Sequence, residues 1–147
     1  MRTGGAGFRG VTDDLMRLVS EAMPLVATLG IRPKVIAADE TVLTMEWRPE
    51  VCTTAGIMHG GALMALADTA GAACAFARLV ESAPGAGTST IESNTHFFAA
   101  VRGGTVTATS RPLHSGRSTI VVQTDLRDDS GRLVAQTTQT QAVLAPR

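Results

Sequence analysis

The segment from His59 to Val80, HGGALMALADTAGAACAFARLV, constrains the fold more than any other part of the chain. It contains no proline, and Thr69 is its only β-branched residue before Val80. The pattern predicts a helix of about five to six turns. Apolar and small residues run nearly all the way round it, so other elements must wrap it. The longest apolar run, Gly60 to Ala77, is broken by Asp68, which favours a buried helix over a membrane span.

The flanking segments supply the wrapping. Downstream, Thr88 to Ala99, Thr105 to Pro112, Ser118 to Arg127 and Leu133 to Leu144 read as strands. Thr105, Thr107 and Thr109 alternate with Val106, Ala108 and Ser110, the period of a strand. Gly103-Gly104, Ser115-Gly116 and Asp128-Asp129-Ser130-Gly131 lie between the segments, and each reads as a hairpin signal. Upstream, Val35 to Ala38 and Val42 to Trp47 read as two strands joined at Ala38-Asp39-Glu40, followed by a loop over 49–58. Before them, Thr12 is expected to cap a helix with Asp13 and Asp14 in its first turn. Leu25, Val26 and Leu29 suit a short second helix between Pro24 and Gly30. Residues 1–10 read as a flexible lead-in and 11–147 as one domain. Short hairpins impose antiparallel pairing. The expected class is therefore α+β, an antiparallel sheet wrapped around one long central helix.

Composition narrows the function. A chain of 147 residues holds one core. Thirteen Lys and Arg balance thirteen Asp and Glu, so no basic field is available to hold nucleic acid. Aromatics at 3% leave no platform for base stacking. Cys52 and Cys74 form no CxxC or Cys/His cluster and read as reduced thiols of a cytoplasmic protein. The opening MRTGGAGFRG has no apolar stretch and does not read as a signal peptide.

Two features carry chemistry. Gly60 and Gly61 open the long helix, where backbone N–H groups lack intrahelical partners and the dipole is positive. Such N–H groups can hold a phosphate or polarise a carbonyl, although His-Gly-Gly alone more often marks only a tight turn. Asp68 sits mid-helix, where Asp is a poor helix former. A buried unpaired carboxylate is costly, so this group has a partner or a task. Its structural alternative is a bond to backbone or to Thr69. The glycine pair two turns upstream tips the balance towards function. His59, His96 and His114 show no metal-binding spacing, so no metal site is expected. His59 reads as shaping the loop or binding backbone rather than as a base. No GxSxG, P-loop or GxGxxG is present. Cys74, inside the apolar helix, reads as packing.

With these residues in place, HGGALMALADTAGAACAF resembles the helix motif of the hotdog-fold acyl-CoA thioesterases of the phenylacetate-degradation (PaaI-like) type. The matching positions are Gly56, His59, Gly60, Gly61 and Asp68, and the likeness runs from about Leu29 to Leu144. The resemblance implies a dimer whose sheets join, pairing again into a homotetramer, with sites built from both chains. The substrate would be an acyl-CoA, hydrolysed to free acid and CoA without a separate cofactor. In that scheme the Gly60 N–H polarises the thioester carbonyl, and Asp68 of the other chain is general base or nucleophile. Thr90 falls where the family often has a Ser or Thr that orients the water or the Asp. Gly61 and Asn94, with Gly116, Arg117 and Ser118 of a later turn, fall at substrate-binding positions. Relatives often carry Asn or Gln six residues before the motif His, where this chain has Thr53, a shorter group with different donor geometry.

Thioester hydrolysis needs an electrophilic carbonyl and a nucleophilic water. One preorganised N–H at the developing oxyanion is worth roughly 3–4 kcal/mol. A positioned carboxylate base adds roughly two to four powers of ten. Phosphate groups of CoA would call on Arg102, Arg111 and Arg117. Two rival readings share the fold. One is a non-catalytic acyl-thioester binding module, prompted by Thr53. The other is an enoyl-CoA hydratase or dehydratase using His59 with Asp68.

Overall fold

The computed structural model describes residues 6–146, with side chains from Thr12 onward. The elements are α1 (Ala6–Glu21), α2 (Pro24–Leu29), β1 (Ile31–Ile36), β2 (Thr41–Glu46), α3 (Gly60–Ser82), β3 (Gly87–Phe97), β4 (Thr105–Ser115), β5 (Thr119–Arg127) and β6 (Leu133–Leu144). Two short 3-10 turns, Pro49–Val51 and Thr54–Gly56, shape the loop before α3. The strands form one antiparallel sheet in the order β1-β2-β4-β5-β6-β3. It wraps α3, which packs against all six strands. The expected α+β hotdog arrangement is the one found.

Small residues make the wrapping possible. Ala67, Ala70, Ala75 and Cys74 are wholly buried along α3, letting the sheet approach the helix backbone. Leu63 and Leu66 fill the space against Leu43, Met45, Val106, Leu126 and Val134. Thus α3, long and apolar enough to cross a bilayer by composition alone, is the core helix of this fold. Cys74 packs there as expected, its Sγ 3.7 Å from the Ser110 carbonyl, and burial pushes its thiol pKa up to about 11.

Three local expectations are corrected. The helix α1 begins at Ala6, so Thr12 lies inside it and is not its cap. No proline separates Ala6 from Thr12, and glycine weakens a helix without forbidding it. Of the expected lead-in, residues 1–5 lie outside the described residues and 6–10 belong to α1. The first strand starts at Ile31, four residues earlier than its pattern suggests. Gly30, at φ 68°, ends α2 and releases the chain straight into extended backbone. Pro33 hid this strand, and it is tolerated because β1 is an edge strand. Finally, Gly103-Gly104 is not a hairpin turn, because β3 pairs with β6 and β4 pairs with β2 and β5. Gly104 serves a close approach instead. A Cβ there would lie 2.1 Å from Asp129 Oδ2, whose carboxylate accepts the Thr105 N–H at 3.0 Å.

Candidate active site

His59 is the N-cap of α3. Its extended backbone places Nδ1 to accept the Gly61 N–H at 2.8 Å, and its carbonyl accepts the N–H groups of Ala62 and Leu63. This is the backbone-binding role expected of His59, and it occupies the Gly61 donor. The Gly60 N–H, by contrast, donates to no group among the described residues. It is the one spare donor at the positive end of a six-turn helix. The Phe97 ring lies over it: a Cβ on Gly60 would sit 3.2 Å from the ring.

Asp68 lies two turns further along, half-buried. Thr69 is not its partner; the Thr69 hydroxyl donates back to the Ala65 carbonyl at 2.7 Å. The sheet supplies the partners. The Thr90 hydroxyl of β3 donates to Asp68 Oδ1 at 2.9 Å. The Gln139 amide of β6 donates to the same oxygen at 3.1 Å and to the Asp68 carbonyl at 3.4 Å. Gln141 donates to Thr90 Oγ1 at 2.6 Å and accepts the Thr88 hydroxyl at 2.7 Å. The Thr90 hydroxyl has therefore one acceptor left for its proton, and that acceptor is Asp68. The two side-chain donors to the carboxylate, Thr90 and Gln139, both meet Oδ1. Asp68 Oδ2 receives none among the described residues. One oxygen is fixed by the sheet, and the other is open to a water or a carbonyl carbon.

Gln139 and Gln141 escaped the sequence reading. Both are fully buried. Their signal lay in the alternation of β6: Ala135, Thr137, Gln139 and Gln141 share the buried face, so two amides point at the helix. Buried amides need partners; the carboxylate of Asp68 takes an N–H of Gln139 and the hydroxyl of Thr90 one of Gln141, while Gln139 Oε1 has no partner among the described residues. The arrangement also depends on Gly71, where a Cβ would lie 2.3 Å from Gln139 Oε1.

The other expected residues are not all brought together within one chain. Plain alternation would put Asn94 on the same face of β3 as Thr90. A bulge between Thr90 and Glu92 reverses the phase, so Ser93 and Thr95 oppose Gln139 and Thr137 while Asn94 opposes Thr138 on the outer face. Thr53 lies exposed in the loop before α3, its N–H on the Ile57 carbonyl. Gly116, Arg117 and Ser118 form the β4–β5 turn at the end of the sheet where Thr119 pairs with Ala142. The arginine cluster does not form: Arg111 pairs with Glu40, and Arg102 donates to the Ala55 carbonyl at 2.9 Å. Arg117 is exposed and makes no bond among the described residues. No group of three His, Cys, Asp or Glu among the described residues is placed to hold a metal ion.

The family model described as the thioesterase superfamily matches residues 55–135, from the loop before α3 into β6. The chain belongs to the thioesterase superfamily. Its similarity to members of that superfamily extends well beyond the matched segment. It is 30% identical to a 1,4-dihydroxy-2-naphthoyl-CoA hydrolase of Listeria monocytogenes over 125 residues, covering 85% of this chain and 99% of that protein. It is 28% identical to the Escherichia coli protein of the same name, covering 92% and 97%. Among solved structures, a thioesterase from Haemophilus influenzae superposes with a TM-score of 0.82 at 29% identity, covering 91% of this chain and 90% of that one. A thioesterase-superfamily chain of this kind carries out thioester hydrolysis, and the Asp68 cluster is the candidate place for it.

Proposed function

We propose that the protein hydrolyses an acyl-CoA thioester to free acid and CoA, at a site shared between two copies of the chain. The observation that carries this reading is the carboxylate of Asp68, tied down through Oδ1 and open at Oδ2, on the same helix as the unspent Gly60 N–H. Eight residues separate the two groups, about 12 Å along a helix. A reacting carbonyl has to sit about 3 Å from both its oxyanion donor and its attacking group. With Asp68 as base, one water between it and the carbonyl widens this reach, yet about 12 Å along one helix still favours a carbonyl held between two copies over one held by a single chain. The edge strand β3 supports the pairing, since Ile91 and Phe97 on it and Phe98 just after it are exposed. The resemblance extends this dimer to a homotetramer. The two free thiols, Cys52 and Cys74, favour the cytoplasm.

In the proposed reaction Asp68 Oδ2 takes a proton from water as its oxygen attacks the carbonyl carbon. The Gly60 N–H of a second copy binds the developing oxyanion. The C–S bond then breaks, and the proton held by Asp68 passes to the CoA sulfur. In the alternative, Oδ2 itself attacks the carbonyl carbon, the C–S bond breaks to release CoA thiolate and leave an Asp68 anhydride, and water opens the anhydride to the free acid and Asp68, a proton from that water passing to the thiolate. Arg117, the unpaired cation of the three candidates, is assigned to the CoA phosphates.

Release of free thiol from a panel of aryl- and fatty-acyl-CoA thioesters tests the reading. The protein is expected to turn over at least one class well above the uncatalysed rate. Saturable binding without thiol release would show a binding module instead. Gly60→Pro refines the test. Position 60 is the first of α3, where proline is tolerated, and His59 at φ −66° and ψ 134° already has the backbone that precedes a proline. The substitution removes an N–H that no group uses among the described residues. Its Cβ would press on the Phe97 ring at 3.2 Å, and that ring, about half exposed, can turn aside. The variant is expected to lower kcat by about two to three powers of ten while the melting temperature falls only slightly. Full activity in this variant would remove Gly60 from the mechanism.

A further inference from the structure

A cleft of about 290 Å3 opens between α1 and the α3–β3 pair, with Leu15, Leu18 and Val19 on one side and Ala72, Phe76 and Thr88 on the other. Two rails connect it to the candidate site. Ala72 lies four residues after Asp68, so the two share one face of α3, a single turn apart. Thr88 lies two residues before Thr90, ahead of the bulge, so these two share one face of β3. Asp68 and Thr90 are themselves hydrogen-bonded, so the cleft ends one helical turn and one strand repeat from the carboxylate. Its chemistry is uniform. Among the described residues no charged side chain lines it, and the one polar side chain that does, Thr88, spends its hydroxyl on Gln141. A ligand in this cleft finds, among the described residues, apolar contact and no free side-chain partner for a hydroxyl or carboxyl, whose burial would then be costly. The alanines at 72 and 73 leave the room, and the Phe76 ring bounds it.

We infer that this cleft binds the acyl group of the thioester, and that the group it selects is an unsubstituted hydrocarbon, a saturated chain or a plain aryl ring, rather than a hydroxylated or carboxylated one. The inference rests on the thioester-hydrolase reading for its ligand. Its location rests on the cleft and the two rails.

Two measurements separate the inference from the reading beneath it. The first compares kcat/KM for octanoyl- and phenylacetyl-CoA with that for succinyl- and hydroxyphenylacetyl-CoA. The second titrates the protein with cis-parinaric acid, a fluorescent fatty acid, and needs no turnover. Wild type is expected to favour the hydrocarbon thioesters at least tenfold and to bind the probe. Ala72→Leu, which fills the cleft, is expected to weaken probe binding at least tenfold. Its kcat/KM loss should grow with acyl length, at least tenfold greater for octanoyl- than for acetyl-CoA. Leu18→Asp, on the solvent-facing wall, sets a charge in the cleft without loading the core. It is expected to act in the same direction, and it carries the test if Ala72→Leu does not fold. Hydrolysis with no acyl preference, or with a preference that both variants leave unaltered, overturns the cleft assignment and spares the hydrolase reading. Probe binding that both variants weaken, without turnover of any thioester, overturns the hydrolase reading and supports the cleft. Neither turnover nor binding overturns both.

Discussion

Asp68→Asn lowers kcat for any accepted thioester by about two to four powers of ten, the usual contribution of a positioned carboxylate base, and leaves the fold in place. The asparagine oxygen still accepts from Thr90 and Gln139, the two donors that hold the native Oδ1. Only the free Oδ2 is replaced, by an amide nitrogen that takes no proton at neutral pH. The variant should therefore melt near the wild-type temperature. It should keep KM within a few-fold, because the loss falls on the transition state rather than on binding. Steady-state kinetics with thermal unfolding on the same preparation checks all three statements. Wild-type kcat in this variant would show that the carboxylate takes no part in the reaction, whatever its partners.

The second large effect is one of stability, and it reverses sign with background. In an ordinary helix, Gly→Ala stabilises by about 1 kcal/mol. At Gly71 the new methyl would meet Gln139 Oε1 at 2.3 Å and its Cδ at 2.5 Å. Gln139 has no exposed route of escape, being fully buried with Oε1 already lacking a partner. Its amide must swing off Asp68, and a buried donor left unpaired costs about 1–3 kcal/mol. Gly71→Ala alone is thus expected to destabilise by up to about 2 kcal/mol after the gain in helix propensity is subtracted. It should also lower kcat, since Asp68 loses one of its two side-chain donors. In a Gln139→Ala background the obstruction is gone, and the same change should stabilise by about 1 kcal/mol. Urea unfolding of the four proteins measures the cycle. Equal effects of Gly71→Ala in both backgrounds would mean that the close approach of Gln139 to the helix does not shape its energetics.

The helix α3 was legible because an element apolar all round admits one solution, a sheet around it. Asp68 was legible because nothing in helix physics asks for a carboxylate there. The partners of Asp68 were hidden because they lie 22 and 71 residues away. Only a known register, β3 against β6, tells which face of each strand the helix sees. The same dependence decides the face of Asn94, because one bulged residue at Ile91 puts every later side chain on the face opposite to that of plain alternation. Gly71 reads in sequence as one more small residue of a small-residue helix. Its role appears only when Gln139 is laid across it. Strand β1 was partly hidden by Pro33, a residue that argues against a strand everywhere except at an edge.

Complementation between two disabled chains probes the shared site most directly. Asp68→Asn keeps the Gly60 donor, and Gly60→Pro keeps the carboxylate. Each alone should be nearly inactive. Co-refolding equal amounts pairs the two kinds at random, so about half the dimers are mixed, and each mixed dimer holds one complete site and one doubly disabled site. Recovery to about a quarter of wild-type thioester hydrolysis is expected in such a mixture. If the mixture stays as inactive as its components while mixed dimers are shown to form, then Asp68 and Gly60 do not act on one carbonyl across two chains, and the proposed mechanism is wrong.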